Sequence, residues 1–230
     1  MACLPRRVSF RFAIPRAYAA TLLLLAAWLP TSATTLIELQ ELPDLVEESR
    51  RAILAEVVNV RYGLDEHGLH STWVGVRVDD ALYGDVVSDP GQILTVKIYG
   101  APFTMPDGSR IFIDGTPVYR PGERYLLLLR GESEWGFTNV AGLYQGAFRT
   151  AIDAGEETAR SLSGNRNVFG RDGLGRWLTG ESLTEAQRER LAEDPDAPVP
   201  YPLLRRAVLA LWSELGRPAL GIAVTEGGAR

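Results

Sequence analysis

From Ala52 to Ile152 the apolar residues recur at every second position, in short runs separated by glycine-bearing turns. A period of two sends successive side chains to opposite faces, which is strand geometry and not that of an amphipathic helix. Residues 52–61 are rich in Ile, Leu and Val on both faces. In 72–82, Val74, Val76 and Val78 point one way and Trp73, Arg77 and Asp79 the other. Residues 93–99 send Leu94, Val96 and Ile98 inward and Thr95 and Lys97 outward. Residues 110–113, 124–130, 135–140 and 146–152 bring the set to about seven strands. No helical stretch separates them, so the reading is an antiparallel meander and not a parallel sheet. Residues 124–130, Tyr-Leu-Leu-Leu-Leu between arginines, are apolar on both sides. Such strands predict a mainly β fold built on a small antiparallel barrel, with Gly142 and Gly146 as bulges at a corner.

The flanks divide the rest. Residues 1–33 carry Arg6, Arg7, Arg11 and Arg16 with no acid, then an apolar run, then Pro30, Thr31, Ser32 and Ala33. That order matches a secretory signal peptide cleaved after Ala33. The apolar run covers about 13 residues where a membrane-crossing helix needs roughly 20, so no span is expected after cleavage. The only cysteine, Cys3, lies in the removed part, so the mature chain of about 197 residues has no disulfide or thiolate site. The barrel domain is placed at 34–152, opening with a short helix from about Asp44 behind Pro43. Six glycines mark 153–181 as a glycine-rich loop or linker. Residues 182–216 form a helical C-terminal region. A first helix starts at the overlapping capping boxes Ser182–Glu185 and Thr184–Gln187; a second starts at Pro202 and stops at Gly216. Residues 194–200 between them read as a proline linker, and 217–230 as a loose tail.

Several stretches together resemble a group of uncharacterised exported bacterial proteins. They are residues 53–60, Leu82-Tyr83-Gly84-Asp85, Pro121-Gly122-Glu123-Arg124-Tyr125 with its leucines, and Gly142-Leu143-Tyr144-Gln145-Gly146-Ala147-Phe148-Arg149. The resemblance covers about 36–152. It implies a five-stranded barrel similar to the oligonucleotide/oligosaccharide-binding (OB) fold, which also underlies metalloprotease-inhibitor domains. It implies no particular activity. That inhibitor fold relies on an N-terminal cysteine and disulfides, which this chain lacks after cleavage.

Charge narrows the partners. The chain has 24 basic and 29 acidic residues; losing four arginines leaves 20 against 29, about −9. An acidic chain is poorly matched to nucleic acid or an anionic membrane. No Gly-x-Ser-x-Gly is present, and two histidines, His67 and His70, offer no nucleophile–base pair. With Asp65 and Glu66 they form a candidate metal set, but their loop is also what a solvated hairpin turn looks like. Asp79 and Asp80 are adjacent on a strand and should face opposite sides. Gly170-Arg-Asp-Gly173-Leu-Gly175 lacks the Lys and Ser/Thr of a phosphate loop. The remaining candidates are aromatic. Trp73, Tyr99, Phe103, Trp135 and Tyr144, with Tyr119 and Phe137, lie on or beside strands, either as a ligand face or as plugs of the barrel ends. The functional expectation is an exported, cofactor-free, non-enzymatic binding module, periplasmic or extracellular, for an envelope or extracellular protein. The alternative is an envelope or extracellular protease inhibitor or hydrolase-associated protein.

Overall fold

A computed structural model of the chain describes residues 38–84, 90–100, 102–104, 107–108, 110–111, 116–170 and 184–217. The expected signal peptide and the tail beyond Arg217 lie outside them, as do the side chain of Phe103 and the glycine stretch after Gly170. Among the described residues no helix is long and apolar enough to cross a membrane.

The chain is mainly β. Helix α1 (Leu42–Glu48) precedes β1 (Arg51–Leu64), β2 (His70–Tyr83) and β3 (Ile93–Tyr99). A small ladder of β4 (Phe103–Thr104) and β5 (Arg110–Ile111) follows. Then come β6 (Arg124–Leu129), β7 (Ala147–Asp153), β8 (Glu156–Ser161), α2 (Asn165–Phe169), α3 (Glu185–Glu193), β9 (Val199–Pro200) and α4 (Tyr201–Glu214). Seven strands form one antiparallel sheet in the order β3-β2-β1-β6-β7-β8-β9.

This sheet is not closed, which corrects the expected barrel: β3 and β9 are its two edges. Both of its faces are nonetheless covered. Ala52, Leu54, Leu126, Leu128 and Phe148 pack against α1, α2 and α4. Ile53, Ala55, Val57, Tyr125, Leu127 and Leu129 pack on the opposite face against Val74, Val76, Val78, Val96 and Ile98. Leu126 through Leu129 are all buried, so this one strand feeds both cores, as its unbroken leucines require. Each such leucine contributes roughly 1.5–3 kcal/mol of apolar burial. The second core exists because β1, β2 and β3 curl. The β1–β2 register slips at Ala52/Ile53, Leu54/Ala55 and Val57/Asn59, and bulges of this kind bend and twist a ladder.

Four segments differ from expectation. Residues 135–140 are a loop; only Val140 bridges to Leu129. Gly142 and Gly146 lie in a turn between β6 and β7 and not at bulges within a strand. Residues 153–161, read as linker, instead complete β7 and form β8, and the proline-rich 194–200 supplies β9. Strand β8 (Glu-Glu-Thr-Ala-Arg-Ser) buries only small or polar side chains, so it carries no apolar alternation to be seen. Helices α1 and α3 start at capping boxes. Asp44 accepts the Glu41 amide at the start of α1, and Thr184 and Gln187 cap α3 reciprocally. Helix α4 buries Leu203, Leu204, Ala207, Val208, Leu211 and Trp212.

Candidate functional site

The tip of the long β1–β2 hairpin is built by one carboxylate. Asp65 Oδ1 accepts the amides of His67 (2.9 Å) and Leu69 (2.8 Å), closing the loop in the way short Asp side chains do. Its Oδ2 lies 3.0 Å from Lys97 Nζ, and its side chain has no solvent-exposed surface. Lys97 comes from β3, where it stands opposite Trp73. It is the only lysine in the chain, and its side chain is 11% exposed. Lys97 Nζ also donates to the Trp135 carbonyl (2.9 Å) and to Glu66 Oε1 (3.4 Å), and it lies 4.6 Å from the centre of the Phe137 ring. The hairpin tip, β3 and the 131–138 loop therefore share one charged hub.

The electrostatics follow from these contacts. Burial alone pushes the Asp65 carboxyl up, but the Leu69 amide, Lys97 and the His67 amide outweigh it and bring the pKa to about 2. Burial pushes Lys97 down, and the hydrogen bond and charge of Asp65, with Glu66, more than reverse that. The Glu66 carboxyl is lowered by its own backbone amide, against some desolvation, with Lys97 assisting. The hub thus holds its ionised form.

Three of the expected aromatics meet on this platform. The Arg61 guanidinium sits 4.5 Å above Trp73, its cross-strand partner. Tyr99 meets Phe137 edge-on at 5.6 Å and remains 48% exposed. Trp135 is 51% exposed, with the His67 ring 6.2 Å away. Tyr144 is on a different element: the 141–146 turn, tied to α1 where the Gly142 amide donates to Glu48 (2.9 Å). Phe103 is in the β4–β5 ladder, and its side chain lies outside the described residues. Phe137 and Tyr119 are buried, as core side chains would be.

Among the described residues no group of three His, Cys, Asp or Glu side chains is placed to hold a metal ion. Asp65, the carboxylate nearest His67 in sequence apart from Glu66, is already occupied by two amides and Lys97. His67 Nε2 is 3.7 Å from Glu66, whereas His70 starts β2 opposite Leu64. Asp79 and Asp80 do not behave as a simple alternating pair. Asp79 is the extra residue at the register slip between Asp80 and Val78; it reaches Arg124 (2.8 Å) while Asp80 reaches Arg205 of α4 (2.9 Å). Arg124 also holds Glu157 of β8 (2.9 Å). These carboxylates are engaged in ion pairs that tie β2, β6, β8 and α4, and none is aimed at its neighbour as an acid–base pair would be.

Lys97 is the residue that sequence reasoning undervalued. Its strand alternation marked it only as outward-facing. Its solitary status in an arginine-rich chain was the available signal. What defines the site is therefore an aromatic-bearing sheet face held by the Lys97–Asp65 pair. Comparison with protein-family models, with curated proteins and with solved structures gives no match for this chain.

Proposed function

We propose that this chain is an exported, non-enzymatic binding module that docks an envelope or extracellular protein through the Tyr99–Trp135 face. One observation carries the reading. Two half-exposed aromatics stand on a surface locked from beneath by the Lys97–Asp65 pair. Large aromatics held rigid before binding lose little entropy on association, and Trp, Tyr and Arg dominate the energetics of protein interfaces. Export rests on the order of charge, apolar run and small residues in 1–33.

The OB-like reading of the curled part of the sheet has a separate support. The loop between β6 and β7 bonds to both sides of the gap: the Thr138 amide donates to the Lys97 carbonyl (2.7 Å), and the Arg130 amide to the Asn139 carbonyl (2.8 Å). A loop in that position stands where the closing strand of a small barrel would run.

The test is capture from envelope and secreted fractions with residues 34–230, beside a Tyr99→Ala/Trp135→Ala variant of the same bait. A protein retained by the parent and lost by the variant supports the reading. A protein retained equally by both overturns the assignment of the face. A defined hydrolytic activity of the purified parent overturns the non-enzymatic reading.

A further inference from the structure

The charges around the aromatic face are one-sided. Glu66, Glu132, Glu134 and Trp135 are all exposed. Glu134 adjoins Trp135 in the chain. The Glu132 carboxylate reaches back toward the hub: a Cβ built on Gly136 would lie 3.5 Å from Glu132 Oε1 and 3.9 Å from Lys97 Cδ. Against these stands Lys97, whose ammonium is taken up by Asp65, Glu66 and the Trp135 carbonyl. The Arg61 cation is stacked on Trp73, one strand pair further across. His67 contacts Glu66 and the Trp135 ring. The half-exposed indole is thus flanked in its loop by two exposed carboxylates, Glu132 and Glu134, that no cation among the described residues is seen to pair, on a chain whose net charge is itself −5.

We infer that the partner docks through a basic segment, with an arginine or lysine side chain laid against Trp135 and met by Glu132 and Glu134. This rests on the binding-face reading above and adds the chemistry of the partner. A cation is drawn to the indole face by the ring quadrupole, and the flanking carboxylates reinforce that attraction. An acidic segment would meet the Glu132 and Glu134 carboxylates at the same place, and like-charge juxtaposition selects against it. Because the attraction is long-ranged, it also steers encounter and weakens with salt.

The test uses three synthetic nine-residue peptides as probes, alternating glycine with arginine, glutamate or serine, titrated calorimetrically into the purified protein. The arginine peptide is expected to bind, with affinity falling about tenfold between low and high salt as screening shortens the charge range. Trp135→Ala should weaken it about tenfold, the scale of an interface anchor. Glu132→Gln/Glu134→Gln should weaken it about fivefold without removing any core contact. Ile152→Ser, on β7, should leave it unchanged. If the serine or glutamate peptide binds as well as the arginine one in a Trp135-dependent way, the basic-partner inference falls and the face stands. The same holds if the carboxamide variant binds as tightly as the parent. If arginine-peptide binding ignores both Trp135→Ala and Tyr99→Ala, the face falls with it. If no peptide binds while the capture experiment retains a Trp135-dependent protein, only the basic-segment inference is overturned.

Discussion

Replacing Gln145 by Leu removes two hydrogen bonds and little volume. Gln145 is fully buried in the turn between β6 and β7. Its Oε1 accepts the Gln40 amide (2.9 Å) and its Nε2 donates to the Glu38 carbonyl (2.8 Å). The side chain thereby pairs with the segment entering α1 as a strand backbone would. Its own backbone bonds, the amide to the Gly142 carbonyl (3.2 Å) and the carbonyl from Ser161 Oγ (2.9 Å), survive the substitution. Each lost neutral bond is worth about 0.5–1.5 kcal/mol net, so the pair is worth about 1–3 kcal/mol. The central value is about 2 kcal/mol, because Glu38 is exposed and Gln40 half-buried, so water replaces part of what is lost. For a domain of this size that is about 4–8 °C in melting temperature. Urea unfolding gives the energy, and hydrogen exchange at the Gln40 amide reports whether the loss is local. A change under about 0.5 kcal/mol with unaltered Gln40 exchange would refute the clamp. A loss well above about 4 kcal/mol would refute the bookkeeping in the other direction, since packing strain and not two hydrogen bonds would then set the magnitude.

The Asp65 carboxyl should titrate in the folded protein near its lowered pKa of about 2 and not at 3.8. A depressed folded value means the hub's contribution is present above about pH 4 and lost as pH falls through 2. Carboxyl NMR shifts against pH check this, and a midpoint at or above 3.8 refutes it. Lys97 has the opposite sign: raised from 10.5, its share is full below that pH and disappears only as pH rises past the folded value. Gly84→Ala should destabilise by about 2 kcal/mol or more. Its φ is +131°, and a Cβ there would lie 2.5 Å from Arg51 Cβ and 2.9 Å from Arg51 Cα, so the clash is not with a movable side-chain end; an unchanged melting temperature would contradict it. Trp212→Ala should cost about 3–5 kcal/mol, because the indole is buried and stacks on Tyr83 at 3.8 Å and 9°. Arg217→Ala, which removes the cation 4.8 Å from that ring and its donations to the Glu47 and Ser49 carbonyls (3.2 and 3.4 Å), should cost about 1–2 kcal/mol; a loss equal to that of Trp212→Ala in denaturant melts would show that the stack is not the stabilising element.

The strands β1, β2, β3 and β6 were legible because their side chains alternate, or fill both faces, with large apolar groups. The period signal vanishes where a strand is held by backbone pairing and small side chains. In β8 only Thr158, Ala159 and Ser161 are buried, and in β9 a two-residue strand includes a proline. Both lie at or next to a sheet edge, where few neighbours demand apolar bulk. Openness of the sheet was not legible either. Apolar residues on both faces of β6 require two covering layers, and helices on one side with a curled sheet on the other satisfy that as fully as closure does. Of the candidate site, the aromatic identities were readable. The hub was not, because Asp65 and Lys97 are 32 positions apart in the chain and meet only through the hairpin register.

The motifs that carry the resemblance are, in this structure, scaffold. In Gln145-Gly146-Ala147-Phe148, the glutamine clamps the N-terminal segment and Phe148 stacks in the core near Phe169 at 6.1 Å. Gly146 lies where any Cβ would come 2.9 Å from the Ala141 carbonyl oxygen. In Pro121-Gly122-Glu123-Arg124, the glycine takes a φ of +86° in the turn, and the arginine ties β6 to Asp79 and Glu157. Tyr83, from Leu82-Tyr83-Gly84-Asp85, donates to or accepts from Ser49 (2.6 Å) beneath Trp212. Burial pushes its phenol up to about 12, against the opposing Ser49 hydrogen bond and Arg217 charge, so it stays neutral throughout the physiological range. None of these groups touches the hub. Lys97, Tyr99 and Trp135 all lie outside the quoted motifs. Chains sharing only the motifs would therefore share the constraints on this backbone while remaining free in the residues presented at the hairpin tip. If the binding-face reading is right, grafting another chain's 131–138 loop and 63–69 tip onto this scaffold should change what is bound and leave the unfolding midpoint almost unaltered. A graft that collapses the fold would place the hub within the scaffold and deny it an independent role.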